Sequence, residues 1–243
     1  MSTQWFTDRP KLFADPAACA ARTKQLREPH IAPLTAFVEA LRAQVGPDLS
    51  IPNFDPWDGG IDADILYLLE APGPKAVLSG FISRNNPDET AKNFFELNAE
   101  AKVPRKRTVT WNIVPWYIGD GKHVRSANRA DLRAGIRELP RLFSLLPRLR
   151  AVVLVGRKAE QARSEVRDLI PKVTIFDCPH PSPQFVNIDP ANRRRILNVL
   201  RDIASLTVST ASAQGMSLMP PASRARVELR GNRQALPRIL LGL

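Results

Sequence analysis

Short, almost wholly apolar runs alternate along the chain with longer segments whose apolar residues recur at helical spacing. The apolar runs span residues 64–69, 108–114, 151–155 and 173–176. Their composition is typical of strands that are covered on both faces, and helical patterns separate them. This alternation predicts βαβ crossovers, and therefore an α/β fold: a three-layer α/β/α sandwich with a central, mostly parallel four-stranded sheet.

Some of the predicted helices carry recognisable signals at their ends or within them. Asn86, with Pro87 and Glu89 behind it, predicts a helix N-cap. A longer helical pattern begins at Asn128 and contains Pro140. Because proline removes a helical hydrogen bond, we expect a kink there.

The net charge of the chain indicates which kind of partner it binds. The 35 Lys and Arg residues outnumber the 24 Asp and Glu residues, which gives a formal net charge of +11. This balance favours a polyanion, and the lack of a basic amphipathic helix with an aromatic face favours nucleic acid over a membrane. No apolar run approaches the roughly 20 residues of a membrane helix, and the N-terminus lacks an apolar signal core. We therefore expect a cytoplasmic protein.

The last part of the chain differs in composition from the rest. Residues 209–223 are rich in Ser, Ala, Met and Pro, and residues 224–243 hold five Arg and one Glu. We therefore predict one domain over residues 1–208 and a basic, flexible tail over residues 209–243.

Candidate chemistry lies where the predicted strands end. In a parallel sheet, ligands bind beyond the carboxyl ends of the strands. Four segments fall there, namely EAPGP at 70–74, NIVPW at 112–116, GRK at 156–158 and PHPSPQ at 179–184. Three of them contain proline, which stiffens a loop, so together they suit a preorganised pocket.

The order of these segments resembles the uracil-DNA glycosylase superfamily. LLEAPGP, TWNIVPW and PHPSPQ match its proline-containing first loop, its strand with an inward Asn and its His-Pro-Ser-Pro loop, over about residues 54–206. The resemblance implies that the protein flips a deaminated base, most directly uracil, out of DNA and hydrolyses its N-glycosidic bond. With only Cys19 and Cys178, the chain lacks the cysteines of the family's iron–sulfur branch, so no cluster or other cofactor is implied.

The resemblance also assigns roles to individual residues. His180 is the candidate that stabilises the departing base through a hydrogen bond to a pyrimidine O2. Asn112 would accept from uracil N3–H and donate to O4, and we expect a protein partner to fix its orientation. Phe81 is the candidate platform on which the base stacks. The resemblance assigns no role to Glu70, but it is the nearest carboxylate in the first loop. It would activate water or stabilise the sugar cation, or would instead order its loop by accepting from backbone N–H groups.

Two positions depart from the best-known branch of the family. Where that branch has an Asp that orients water, this chain has Ala71; where it has a Tyr that blocks the thymine methyl group, this chain has Gly73. We place both residues in the substrate pocket. The open Gly73 position leaves the alternative of a glycosylase for hypoxanthine or xanthine, and the two positions together leave that of a non-catalytic binder of abasic or damaged DNA.

The DNA-binding residues are expected in and after the PHPSPQ loop. Ser182 lies within it, and Gln184 or Phe185 would fill the gap that a flipped base leaves, with Phe185 the better wedge because it stacks. Arg193 and Arg194 open the following helix, where phosphates would pass. We expect a monomer that acts on DNA containing uracil or other deaminated bases.

Overall fold

A four-stranded parallel sheet forms the centre of the computed structural model, which describes residues 6–120 and 124–215, with side chains as far as residue 206. The strands are β1 (Asn53–Phe54), β2 (Ile65–Leu69), β3 (Phe81–Ile82), β4 (Thr108–Asn112), β5 (Ala151–Val155) and β6 (Thr174–Cys178). The four longer strands lie in the order β4-β2-β5-β6, and every neighbouring pair is parallel. The short strands β1 and β3 pair separately.

Helices cover both faces of this sheet. They are α1 (Pro16–Thr23), α2 (Ala32–Val45), α3 (Pro74–Ser79), α4 (Glu89–Glu100), α5 (Arg129–Ile136), α6 (Leu139–Ser144), α7 (Arg157–Glu160), α8 (Arg163–Leu169), α9 (Pro183–Val186) and α10 (Pro190–Gly215). The helices α2 and α5 to α8 pack on one face, and α4 and α10 pack on the other. The predicted three-layer α/β/α sandwich is therefore confirmed.

Alternation along the edge strand β4 separates a polar face from an apolar face. Val109 and Trp111 point into the apolar core on the α2 side, where Trp111 stacks on the phenylalanine of β1 with ring centroids 3.9 Å apart. Thr108, Thr110 and Asn112 occupy the alternate positions and are buried as well. This strand therefore carries a row of polar side chains toward the layer of α4.

Two predicted helix features differ from the structure for local reasons. The helix predicted to start with Asn86 as its cap begins at Glu89 instead. Asp88 is the N-cap, since its carboxylate accepts from the backbone N–H of Ala91 at 2.9 Å. The kink expected at Pro140 is a complete break between α5 and α6, and the proline sits in the first turn of the second helix.

The predicted tail lies largely outside the described residues. The helix α10 extends to Gly215, so the domain boundary predicted at residue 208 falls inside a helix. Residues 216–243 are outside the part of the chain that the structure describes. Within residues 6–120 and 124–215, no helix combines the length and the apolar character needed to cross a membrane.

Asp55 is the centre of a buried ionic network beneath the sheet edge. Its carboxylate, 1% exposed, accepts from the guanidinium groups of Arg22 and Arg105, from the Ser83 hydroxyl and from the backbone N–H of Trp57. Burial alone would raise the pKa of Asp55, but the two arginines and the hydroxyl outweigh it and hold the pKa below 3.8. The carboxylate is therefore ionised at neutral pH.

Arg105 connects this network to the N-terminal segment. Its Nε donates to Asp58 at 2.9 Å, and its Nη1 donates to Asp8 at 2.7 Å and to the Asn85 carbonyl oxygen at 2.8 Å. Asn85 Nδ2 in turn donates to Asp8 at 2.8 Å. One side chain thus joins residues that lie far apart in the sequence.

Candidate active site

A pocket of about 530 Å³ opens at the carboxyl ends of β2 and β4, beside the loop that follows β6. Its wall includes the expected residues Glu70, Ala71, Gly73, Asn112 and His180. Further wall residues come from the segment between β3 and α4 and from α4 itself, among them Ser83, Arg84, Asn86, Asp88, Thr90 and Phe94. Across the described ranges, no three His, Cys, Asp or Glu side chains are grouped so that they could hold a metal ion.

His180 is positioned by packing and by its loop. Gly156, at the start of α7, lies directly behind it, because a Cβ added at Gly156 would stand 3.1 Å from the His180 Cβ. Gly156 also has a φ of +89°, which favours glycine. The next residue of the loop, Pro181, is anchored to α4 because its carbonyl oxygen accepts from Asn93 Nδ2 at 3.0 Å.

The surroundings of His180 favour the neutral imidazole. Burial lowers the pKa of His180 below its usual 6.5, and the nearby carboxylates of Glu70 and Asp88 oppose that shift without cancelling it. Neither ring nitrogen forms a hydrogen bond to a described residue. At pH 7 the ring therefore offers one donor and one acceptor to a ligand.

Glu70 is held through one of its two carboxylate oxygens. Its Oε1 accepts from the backbone N–H of Ala127 at 2.6 Å and from the Ser126 hydroxyl at 3.1 Å. Its Oε2 has no hydrogen bond within the described chain, and the side chain lines both the pocket and an adjoining hollow of about 390 Å³. The carboxylate can therefore order its loop and still present a free oxygen.

Asn112 ends β4 with its side chain in the pocket wall. It is only 3% exposed, yet no hydrogen bond joins its side-chain amide to any described residue. The prediction that a protein partner fixes the orientation of this amide is therefore wrong as far as the described residues are concerned. Because this side chain lines the pocket, its donor and its acceptor are both available to a ligand.

Phe81 does not line the pocket. Its ring is 1% exposed and packs on Phe13, with centroids 5.4 Å apart, in a separate apolar cluster. Because neighbouring residues of a strand face opposite sides, Ile82 reaches the pocket and Phe81 points away from it. The prediction of Phe81 as the stacking platform is wrong. Within the described residues, Phe94 of α4 is the aromatic side chain in the pocket wall.

The two positions that depart from the best-known branch both lie in the pocket wall. Gly73 occupies the N-cap position of α3 with an ordinary φ of −83°, and a Cβ added there would meet no atom within 4 Å. Ala71 packs partly against the main core. The wall at Gly73 therefore has room for a substituent on the base.

Arg84 is a pocket residue that no sequence pattern indicates. It is 5% exposed, its Nη2 donates to the Thr108 hydroxyl at 2.7 Å, and its guanidinium carbon lies 5.8 Å from the centre of the Phe94 ring. Arginine is rarely buried, so a single Arg between a short strand and a helix predicts an exposed residue. Only the fold reveals its position.

The residues of the PHPSPQ loop expected to contact DNA lie outside the pocket wall. Ser182 occupies the N-cap position of α9, Gln184 is exposed, and Phe185 packs partly into the core beside α10. Its burial makes Phe185 a poorer wedge than expected. Ile188, just after α9, is 77% exposed and is the accessible apolar side chain of this region.

The two arginines at the start of α10 have different surroundings. Arg193 forms an ion pair with Glu100 of α4, and the two side chains are each 40% exposed. Arg194 is exposed and has no ion pair to a described residue. Of the two, Arg194 is therefore the cation that is free to contact a polyanion.

Two solved structures resemble parts of this fold at low sequence identity. A candidate uracil DNA glycosylase of Methanosarcina acetivorans matches with a TM-score of 0.44 and 16% identity, over 58% of this chain and 91% of that one. SMUG2 of Pedobacter heparinus matches with a TM-score of 0.45 and 14% identity, over 76% of this chain and 84% of that one. No curated protein matches the sequence.

The family assignment rests on a match to the sequence itself. The family model described as "Uracil DNA glycosylase superfamily" matches residues 56–204, which is more than half of the chain. That range contains the sheet, the pocket wall and the three segments that carry the resemblance. The chain therefore belongs to the uracil DNA glycosylase superfamily.

Proposed function

We propose that this protein is a DNA glycosylase that hydrolyses the N-glycosidic bond of uracil in DNA. One observation carries the proposal, namely that three unpaired groups line one pocket: the imidazole of His180, the amide of Asn112 and the second carboxylate oxygen of Glu70. The pocket volume, about 530 Å³, lies within the usual range of small-molecule sites. The family supports action on DNA, and the pocket supports the choice of base.

In the proposed reaction, the C1′–N1 bond breaks and uracil leaves with the bonding electron pair. His180 donates a hydrogen bond to O2 as charge accumulates there, so its contribution grows toward the transition state. Water then adds to C1′ of the oxocarbenium-like sugar, and the free oxygen of Glu70 accepts its proton. Solvent protonates the departing uracil anion.

The direct test uses purified protein and oligonucleotides that each carry one modified base. The bases are uracil, thymine opposite guanine, hypoxanthine and xanthine, each in duplex and in single-stranded DNA. We expect alkali-labile sites to form with uracil. Tight binding to uracil or abasic DNA without release of any base would instead establish a non-catalytic binder.

The open space at Gly73 favours a second candidate, a glycosylase for deaminated purines. Because Gly73 has an ordinary backbone conformation and no close neighbours, Gly73→Tyr should place its ring in the pocket without disturbing the fold. We expect this variant to lose any release of hypoxanthine or xanthine while it retains most of its release of uracil. Gly73→Ala adds only one carbon and serves as the control. Equal loss of both activities in Gly73→Ala would mean that the loop had been distorted.

Asn112→Ala should weaken recognition of uracil without affecting the fold. The cost is about 1–3 kcal/mol for each buried group of the base that loses its partner. Since no described residue bonds to this side chain, the free energy of unfolding should stay the same. Binding is measured to DNA with a non-cleavable uracil nucleotide and to abasic DNA, whose affinity should change little because it has no base to read. A similar loss for both DNAs would show that Asn112 supports the pocket and does not read the base.

Arg194→Gln should flatten the slope of log affinity against log salt concentration by about one unit, because one phosphate contact is lost. Arg193→Gln should change the slope less, since Glu100 already neutralises that cation. The control is Arg148→Gln, an exposed arginine just before β5, at the opposite end of the sheet. Titrations by fluorescence anisotropy at several salt concentrations measure the slopes. Unchanged slopes in both test variants would mean that the start of α10 faces solvent and does not contact DNA.

A further inference from the structure

A second hollow, of about 390 Å³, adjoins the pocket. Glu70, Ser126 and His180 line both spaces and so stand between them. The far wall of the hollow is formed by the end of β5 and the first turn of α7, with Lys158 among its side chains. A group bound between Glu70 and His180 therefore borders the hollow as well as the pocket.

The order of the strands places Lys158 between Glu70 and His180. Glu70 directly follows β2, Lys158 is the third residue after β5, and His180 is the second residue after β6. Since β5 lies between β2 and β6, the segments that leave these strands lie side by side at the carboxyl edge of the sheet. Gly156, two residues before Lys158, packs directly against the His180 side chain. The fold therefore brings a lysine beside the two groups that the proposed reaction uses at C1′.

The amine of Lys158 is held in place but only partly used. The side chain is half-buried, and its Nζ donates to the Ala127 carbonyl oxygen at 2.8 Å. An ammonium group has three N–H donors, and this bond uses one of them. No carboxylate of the described residues forms an ion pair with Lys158. Glu70 accepts from the N–H of the same residue, Ala127, at 2.6 Å, so one backbone unit positions both side chains.

The proposed glycosylase reaction leaves an aldehyde at this place. Release of the base gives an abasic sugar, whose cyclic form is in equilibrium with an open-chain form that carries an aldehyde at C1′. In that reaction His180 contacts O2 of the base and Glu70 takes the proton of the water that attacks C1′. The C1′ atom therefore lies between two side chains that border the hollow of Lys158. Lysine amines form Schiff bases with such carbonyl carbons.

We propose that the protein has a second activity, that of an abasic-site lyase in which Lys158 is the nucleophile. This proposal rests on the proposed function for the position of C1′ and goes beyond it in the bond that is broken. The free oxygen of Glu70 accepts a proton from the ammonium group, and the neutral amine attacks the C1′ aldehyde to form a carbinolamine. Glu70 returns that proton to the carbinolamine hydroxyl, which leaves as water, and an iminium ion joins Nζ to C1′.

The iminium ion makes cleavage of the strand possible without an oxidant or a reductant. Because it withdraws electrons from C2′, the C2′ proton can pass to the Glu70 carboxylate. The electron pair of that C–H bond forms a double bond between C2′ and C3′, and the C3′–O bond breaks, so the 3′ phosphate leaves with its electron pair. Water then hydrolyses the unsaturated iminium ion to an aldehyde and frees Lys158. The net reaction is a β-elimination.

The test uses duplex DNA that already contains an abasic site, so it does not depend on release of a base. Sodium cyanoborohydride reduces an imine to a stable amine and so links the protein covalently to the DNA. With wild-type protein we expect this cross-link on a denaturing gel and, without the reductant, a strand cut at the abasic site in the absence of alkali. Lys158→Met should lower both yields by at least about tenfold. If wild-type protein gave no cross-link or no cut, the proposal would be overturned.

Two further variants separate the nucleophile from its charge. Lys158→Arg keeps a positive charge that can contact a phosphate, but a guanidinium group stays protonated and forms no imine. This variant should therefore lose the cross-link as Lys158→Met does, and a full yield in either variant would overturn the proposal. Lys172→Met removes an exposed lysine just before β6, at the opposite end of the sheet, and should keep the wild-type yields.

Mapping of the cross-link keeps the proposal testable even if the variants do not fold. Digestion of the wild-type adduct and mass spectrometry should locate the link at Lys158. A link at Lys75, the lysine in the wall of the main pocket, would overturn the proposal. The two proposals also fail separately. A cross-link at Lys158 without release of uracil would refute the proposed function alone, and release of uracil without a cross-link would refute the lyase alone.

Discussion

His180→Ala is expected to lower the single-turnover rate of base release by about 10²–10³-fold, the loss typical of one hydrogen-bond donor to a developing anion. The affinity for uracil DNA should change much less, because the bond strengthens only as the base acquires charge. Rapid-quench measurements with enzyme in excess give the rate, and binding to a non-cleavable uracil nucleotide gives the affinity. An equal loss in both quantities would make His180 a ground-state contact.

A matched variant tests whether the effect belongs to the pocket. His30 is a second histidine, whose Nε2 lies 2.8 Å from the Pro56 carbonyl oxygen and which does not line the pocket. His30→Ala should leave the rate of base release within a few-fold of wild type. A comparable loss in both variants would indicate a general effect of histidine removal on stability.

The low pKa of His180 predicts a particular pH dependence. Because burial holds this pKa below 6.5, the imidazole is already neutral at pH 7, and further deprotonation at this ring cannot reduce activity. We therefore expect the His180-dependent part of the rate to stay level from about pH 7 to about pH 8.5. A decline over that interval that disappears in His180→Ala would show that the imidazolium is the active form.

Asp55→Asn is expected to lower the free energy of unfolding by about 3–5 kcal/mol, because Arg22 and Arg105 would keep buried charges without their counter-ion. The loss should depend on pH. The pKa of Asp55 is lowered in the folded protein, so its ionised form contributes stability above its unfolded pKa near 3.8. That contribution is lost as the pH falls through the lower folded value. Urea unfolding at several pH values should show wild type and variant converging in acid.

An exposed carboxylate of the same chain supplies the control for Asp55. Asp62 is 58% exposed and lies 3.7 Å from Arg148. Asp62→Asn should change the free energy of unfolding by no more than about 1 kcal/mol, as is usual for a surface ion pair. If the two substitutions had similar effects, the network around Asp55 would contribute little to stability.

The pattern of apolar residues was sufficient to predict the strands that form the central sheet. The run at 151–155 is the observed β5 without change, and the run at 64–69 differs from β2 by one residue. Buried parallel strands are nearly continuous apolar runs, so they stand out from the amphipathic helices between them. Because loops after such strands meet at one sheet edge, the sequence also placed His180, Asn112 and Glu70 in one pocket.

Short elements and buried charges could not be predicted in the same way. The strand β3 has two residues, too few for any alternation to indicate which of Phe81 and Ile82 faces the pocket. Arg84 depends on Thr108, which lies 24 positions away, and on a network assembled from several segments. No local sequence pattern encodes such long-range contacts. Because arginine is rarely buried, its residue type alone suggests a surface position.

The ion pair between Arg105 and Asp8 indicates how much of the chain is needed for a stable domain. The family match starts at residue 56, yet Asp8, Arg22 and Asp55 all belong to the network that borders the pocket. A protein trimmed to the matched residues would keep the pocket wall but lose Asp8 and Asp55, two of the three carboxylates that pair with Arg105. The smallest stably folded fragment should therefore begin near the N-terminus, well before residue 56 where the family match starts.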